Sequence, residues 1–208
     1  MNIKELLKRY TAGQRYFADI ELDRGSSELY HVELPEIILS RSSLYGVKLQ
    51  GCDLNEANLN RAILIDADLE GIDLTRATLI EVSASDANFA DSILEEANLT
   101  RADLRETSFY KAILDGAILR DADVSNSYLE NSTWIGADLR GAQMGNSHMK
   151  GSNLTGADLR GADLRYVDLR NANLRDADLR EVNLGHVRLD GADLTDAIID
   201  DLGPSNIF

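Results

Sequence analysis

The chain has one cysteine, Cys52, so it cannot close an internal disulfide, and a lone thiol suits a reducing compartment. Long apolar runs are absent; none approaches the ~20 residues of a membrane span. The opening stretch MNIKELLKRY is charged throughout and lacks the apolar core of a secretory signal. The expectation is a cytoplasmic protein with no membrane partner. Basic residues are scarce as well: 21 Lys and Arg stand against 36 Asp and Glu, for a formal net charge of −15. That balance excludes ordinary direct nucleic-acid binding, which neutralises phosphates with Lys and Arg. It equally excludes docking on anionic lipid. A basic protein partner is compatible with it, and so is simple solubility.

The acid is unevenly spread. Residues 51–100 hold 11 Asp and Glu but only Arg61 and Arg76, whereas residues 1–50 carry seven of each sign. The charge therefore forms a band.

What the chain has in abundance is a five-residue period. Stepping by five from Leu34 to Ile199 meets 34 centres, all apolar and 26 of them Leu, with no break of phase. Two residues before each centre the choice is as narrow: 18 Ala, eight Val or Ile, and otherwise Ser, Thr or Cys52. The remaining three positions hold almost all the charge, as in Ala157-Asp158-Leu159-Arg160-Gly161. Two inward positions separated by an outward one match a strand. Five is odd, however, so a straight strand would send successive leucines to opposite faces. A helix would scatter them around its cylinder. The chain must turn after each short strand and coil around a narrow core.

Units such as Ala102-Asp103-Leu104, Ala137-Asp138-Leu139 and Ala172-Asn173-Leu174 resemble those of the pentapeptide-repeat proteins, over residues 32–201. The resemblance implies an all-β fold: a right-handed, quadrilateral, parallel β-helix with four units, or 20 residues, per coil. Thirty-four units make 8.5 coils, a rod roughly 40 Å long at ~4.8 Å per layer. The expected organisation is an N-terminal cap over 1–28, the β-helix over 29–201 and a short C-terminal tail over 202–208. Within the cap, a helix over about residues 2–11 is expected. Ile3, Leu6, Leu7 and Tyr10 share one face of it, Asn2 and Glu5 form a capping box, and Gly13 is the stop. Phe17 and Leu22 are two centres in another phase, and Gly25-Ser26-Ser27 absorbs a two-residue slip. Gly203-Pro204 breaks the pattern at the far end, leaving Ser205 to Phe208 as a small plug.

A 20-residue coil stacks residues 20 apart. Phe89 then lies on Phe109, and Trp134, Met144 and Met149 share a coil as core, with Ser132 and Ser147 compensating their volume. Outside, Arg120, Arg140, Arg160 and Arg180 form a ladder beside Asp138, Asp158 and Asp178. The ladder reads as a salt-bridge lattice first and as an anion site second. Asp66, Asp86 and Glu106 form an acidic corner ladder with no basic column against it. Ile93, Ile113 and Ile135 make an apolar strip on a third side, and Tyr110 and Tyr128 mark the fourth. These residues are the candidate partner-binding surface.

No catalytic, cofactor-binding or metal-binding set emerges. His31, His148 and His186 do not converge, and Cys52 occupies an inward position as a filler. Asp and Asn abound only because the repeat places one before so many centres. No Gly-rich phosphate loop or nonapeptide calcium repeat is present. Glycines such as Gly136, Gly141, Gly156 and Gly161 mark the corners. The expected function is a non-catalytic interaction module, a rigid acidic rod that binds an unidentified, basic protein as a monomer or weak dimer. The alternative is DNA mimicry. Some pentapeptide-repeat proteins resemble an acidic duplex and inhibit or protect DNA gyrase. Those members carry a C-terminal dimerisation helix, and the quinolone-resistance members add loop insertions. This chain departs on both counts, with an unbroken phase from Leu29 and nine residues after Ile199.

Overall fold

The computed structural model describes residues 1–22 and 29–200. It opens with helix α1, Ile3–Thr11, capped by Asn2, whose side-chain oxygen accepts the Glu5 N–H at 2.9 Å. That bond satisfies one of the four orphan donors of a helix start. Ile3, Leu6 and Tyr10 are buried, whereas Leu7 is only half-buried. The helix ends just before Gly13, whose φ of +94° is open to glycine. The Tyr10 hydroxyl then donates to the Pro35 carbonyl at 2.9 Å and ties the cap to the rod.

From Glu33 onward every pairing is parallel and joins residue i to i+20, from Glu33–Asp53 to Asp178–Ile198. Four pentapeptides therefore complete each coil. The first coil is out of step, since Tyr16 pairs with Ile38 and Glu21 with Ser43 at a spacing of 22. The two extra residues fall between Glu21 and Glu33. Gly25 to Ser27, expected to absorb the slip, and the tail over 202–208 lie outside the described residues. No helix occurs between positions 40 and 195.

The backbone donors show why the repeat has five residues of these kinds. In the unit centred on Leu54, the Cys52 N–H closes the corner on the Leu49 carbonyl at 3.1 Å. The Asp53 N–H reaches back one coil to Val32, while those of Leu54 and Glu56 reach forward to Asp73 and Thr75. The fifth N–H, of Asn55, has no backbone acceptor and bonds instead to Asp53 Oδ1 at 2.9 Å. The same side-chain bond recurs at Asp73–Thr75, Asn98–Thr100, Asp123–Ser125 and Asn153–Thr155. Where an Asp or Asn precedes the centre, as in 17 of the 34 units, its side chain is thus the acceptor for the one donor the ladder leaves over. Pro35, which has no N–H, stands at this same position.

Gly136, Gly141, Gly156 and Gly161 do stand at corners with positive φ, but glycine is the minority there. All 34 corner residues from His31 to Asp196 have positive φ, yet only ten are glycine. The rest are Asp, Asn, Glu, Arg, Lys, His or Tyr. Only the third residue of each four-residue corner is left-handed, the pattern of a type II turn.

Inside, Leu104 and Leu164 are 0% and 1% exposed, and Phe89 stacks on Phe109 with centroids 4.8 Å apart. Trp134 meets Phe109 edge-on at 6.2 Å. Ser132 and Ser147 serve as more than volume compensation. The Ser132 hydroxyl accepts the Trp134 indole N–H at 2.6 Å and donates to the Leu129 carbonyl at 2.6 Å. Ser147 accepts the Ser127 N–H and donates to the Val124 carbonyl, in a column that continues down to Thr107. Buried hydroxyls here hold the corners together.

Candidate functional site

The 20-residue register sorts every outward residue onto one of four faces, numbered by their centres: face 1 with Leu54, face 2 with Leu59, face 3 with Leu64 and face 4 with Leu69. On face 2 the arginine ladder is a closed zipper. Asp138 lies 2.5 Å from Arg120 and 2.8 Å from Arg140; Arg140 reaches Asp158 at 3.5 Å. Arg160 bridges Asp158 at 2.7 Å and Asp178 at 3.6 Å, and Arg180 closes on Asp178 at 2.6 Å. Hydrogen bonds from Arg140 hold the Asp138 carboxyl at a pKa of about 2, and those from Arg180 do the same for Asp178. Guanidiniums occupied in this way act as lattice, the first of the two readings of the ladder.

Asp66, Asp86 and Glu106 stand at successive exposed corners of face 3, with φ of 57°, 61° and 59°. Asp66 accepts a hydrogen bond from the Tyr45 hydroxyl at 2.5 Å, and Glu106 sits beside Arg105. Ile93 and Ile113 are ladder partners on face 1, but Ile135 belongs to a parallel column two residues further along the strand. The three make a diagonal, with Ile135 43% exposed.

That diagonal crosses the most acidic surface of the molecule. Face 1 carries Glu33, Glu36, Asp53, Glu56, Asp73, Glu95, Glu96, Asp115, Asp176, Asp193 and Asp196, against Arg76 and Arg175. Eleven acids and two bases give −9 of the chain's −15 on one face of four. Arg76 pairs with Glu56 at 2.9 Å, leaving Glu95 and Glu96 without an ion pair among the described residues. Face 2 over 38–200 is balanced, with seven of each sign. Composition by stretches of fifty residues shows a band; sorting the same residues in steps of 20 shows a face, so this concentration was legible in the sequence and was missed.

Face 4 holds Tyr110 and Tyr128, 40% and 54% exposed. His148 stacks on Tyr128 with centroids 5.5 Å apart and planes 9° from parallel. His186 stacks on Tyr166 at a face 3 corner, and His31 lies over Gly51 near the cap. The histidines stay apart. Burial raises the pKa of the Cys52 thiol. Among the described residues no three His, Cys, Asp or Glu side chains gather as a metal site, and no helix is long and apolar enough to cross a membrane.

The profile of the pentapeptide repeats family matches this chain in eight copies, over residues 37–79, 85–121, 117–156 and 157–196. Among solved structures, HetL from the cyanobacterium Nostoc sp. strain PCC 7120, a pentapeptide repeat protein involved in heterocyst differentiation regulation, is 30% identical. The match covers 97% of this chain and 98% of HetL, with a TM-score of 0.42. Rfr23, a pentapeptide repeat protein from the cyanobacterium Cyanothece 51142, is 36% identical over 45% of this chain and 64% of its own, at a TM-score of 0.44. Full-length QnrB1, a plasmid-mediated fluoroquinolone resistance protein, is 23% identical over 89% of this chain and 92% of its own, at 0.35. No curated protein matches.

Proposed function

Because the chain belongs to the pentapeptide-repeat family, whose fold is the right-handed quadrilateral β-helix, we propose that it is a non-catalytic interaction module of the cytoplasm, a monomer or weak dimer that binds a basic protein on face 1. The observation that carries this is the placement of −9 of the −15 charges on one rigid face, around the Ile93–Ile113–Ile135 diagonal. Apolar contacts inside an uncompensated acidic rim suit a partner with apolar anchors and a basic surround. The backbone is held by interlocked coils, so little conformational entropy is lost on docking.

The same distribution weighs against mimicry of duplex DNA, which displays its phosphates on both strands around the axis, whereas face 2 is charge-balanced. The test is affinity capture from cell extract with the natural chain and with Glu95→Lys/Glu96→Lys. A basic protein retained by the first and lost with the second supports the reading. Identical captures, or none with either bait, overturn it. A supercoiling assay in which the natural chain inhibits gyrase, or protects it from drugs, would instead establish the mimic.

A further inference from the structure

Every arginine between residues 29 and 200 is ion-paired. Arg41 holds Asp19, Arg105 holds Asp103 and Arg165 holds Asp163; Arg170 and Arg188 share Asp168. The lysines differ. Lys111 and Lys150 have no carboxylate within 4.0 Å among the described residues, and both stand on face 4 beside the exposed tyrosines. The Lys111 ammonium sits 5.1 Å above the Tyr110 ring, and Lys150 lines a shallow groove with Tyr110, Tyr128, Glu130 and Asn131. His148 extends the ring surface by stacking on Tyr128.

Two unneutralised cations flanking rings with solvent-facing edges form a surface opposite in character to face 1. We infer that this part of face 4, over residues 108–151, docks a short acidic segment of a partner protein that also carries an aromatic ring. Carboxylates of the segment meet Lys111 and Lys150, and its ring lies against Tyr110 or Tyr128, where stacked aromatics gain energy beyond their buried area. Glu130 is the one carboxylate between the lysines and sets a polarity along the groove, repelling acid at its own position. The segment must be short. Below the patch face 4 carries Asp68, Glu70 and Asp91, and face 1 adjoins its corner, so a long polyanion such as single-stranded nucleic acid would run into like charge.

This goes beyond the proposed function, because it uses another face and the opposite charge; reversing Glu95 and Glu96 leaves it untouched. The experiment titrates the full chain with a fluorescent ten-residue peptide rich in Glu and Tyr, with its Lys-for-Glu counterpart, and with an oligothymidine of matching length. Anisotropy reads affinity, and amide shifts of the isotope-labelled chain read position. The acidic peptide should bind most tightly, with shifts confined to 108–111, 128–131 and 148–151. Lys111→Glu/Lys150→Glu should weaken it at least about tenfold and Tyr128→Ala about fivefold, with circular dichroism unchanged; Glu95→Lys/Glu96→Lys should not weaken it. Equal affinity for the basic peptide, shifts on another face, or tighter oligothymidine binding at these residues would overturn the inference.

Discussion

The backbone N–H of Ile80 donates to Oδ1 of Asn60, 2.8 Å away and one coil earlier. Half of the units serve this donor with their own Asp or Asn before the centre, but here that position is Thr78, and a side chain from the neighbouring coil substitutes. Ile135, which follows Thr133, is served in the same way by Asp115 at 2.9 Å. The requirement is for an acceptor at one point in space, whichever residue supplies it.

Removing that acceptor should therefore cost about as much as one hydrogen bond. Asp73→Ala, which frees the Thr75 N–H now held at 2.8 Å, should destabilise the rod by about 1 kcal/mol in urea unfolding. Asn60→Ala should do the same through Ile80, although sequence spacing connects these two residues only by the coil. Conversely, Ile118→Asn should supply Arg120 with an acceptor and raise the midpoint. Equal midpoints for Asp73→Ala and the natural chain would mean that water serves the donor as well.

Ser132 offers a sharper contrast, because its hydroxyl is buried between the Trp134 indole N–H and the Leu129 carbonyl. Ser132→Ala leaves the indole donor unsatisfied in a dry core, a loss of about 1–3 kcal/mol. Adding Trp134→Phe removes the donor itself. The double variant should then lose less than the sum of the two single losses, the mark of a direct interaction in a double-mutant cycle. Additive losses would show that Ser132 only fills space.

How far the fold was legible follows from which residues carry it. The five-residue phase of Leu and Ala needs only burial, a property of each side chain alone, so coil, register and core could be read directly. The Phe89–Phe109 stack and the face 2 zipper followed from adding 20 to a residue number. Hydrogen-bonding roles did not follow. Asp73 looks the same in sequence whether it is a spare surface charge or the acceptor for Thr75. The Ile135 offset was missed because it stands after its centre, and Ile93 and Ile113 before theirs. Face 1 escaped notice because composition was counted along the chain rather than around it.

The face 2 zipper makes a pH prediction. Asp138 and Asp178 titrate at about 2 in the fold, below the ~3.9 of an unfolded aspartate. A depressed carboxyl adds stability that is complete above the unfolded value and disappears as pH falls through the folded one. Thermal midpoints should hold level from about pH 7 to 5 and drop between about 4 and 2. Asp138→Asn/Asp178→Asn should flatten part of that drop. Arg160→Ala, by contrast, should change stability by less than about 1 kcal/mol at neutral pH, because its side chain is 41% exposed and each of its aspartates keeps another arginine, Asp158 with Arg140 and Asp178 with Arg180.

The corner residues allow the strictest test of the backbone. None of the 34 left-handed corners holds Val, Ile, Thr, Ala or Leu, although these residues make up much of the rest of the chain. Left-handed backbone crowds the Cβ of any L-residue, at about 1–2 kcal/mol. Asn and Asp bear it better, because a short polar side chain can bond locally, and a β-branched residue bears it worst. Asp86 is exposed at φ 61°, so a substitution there isolates this effect. Asp86→Asn should be nearly neutral. Asp86→Gly should range from neutral to about 1 kcal/mol stabilising, since relieved strain is offset by the wider freedom of unfolded glycine. Asp86→Val should cost about 2 kcal/mol. All three remove the same charge, so a ladder stabilised or destabilised by electrostatics alone would move them together. Only a left-handed corner separates Gly and Asn from Val, and urea midpoints of the three variants measure that separation.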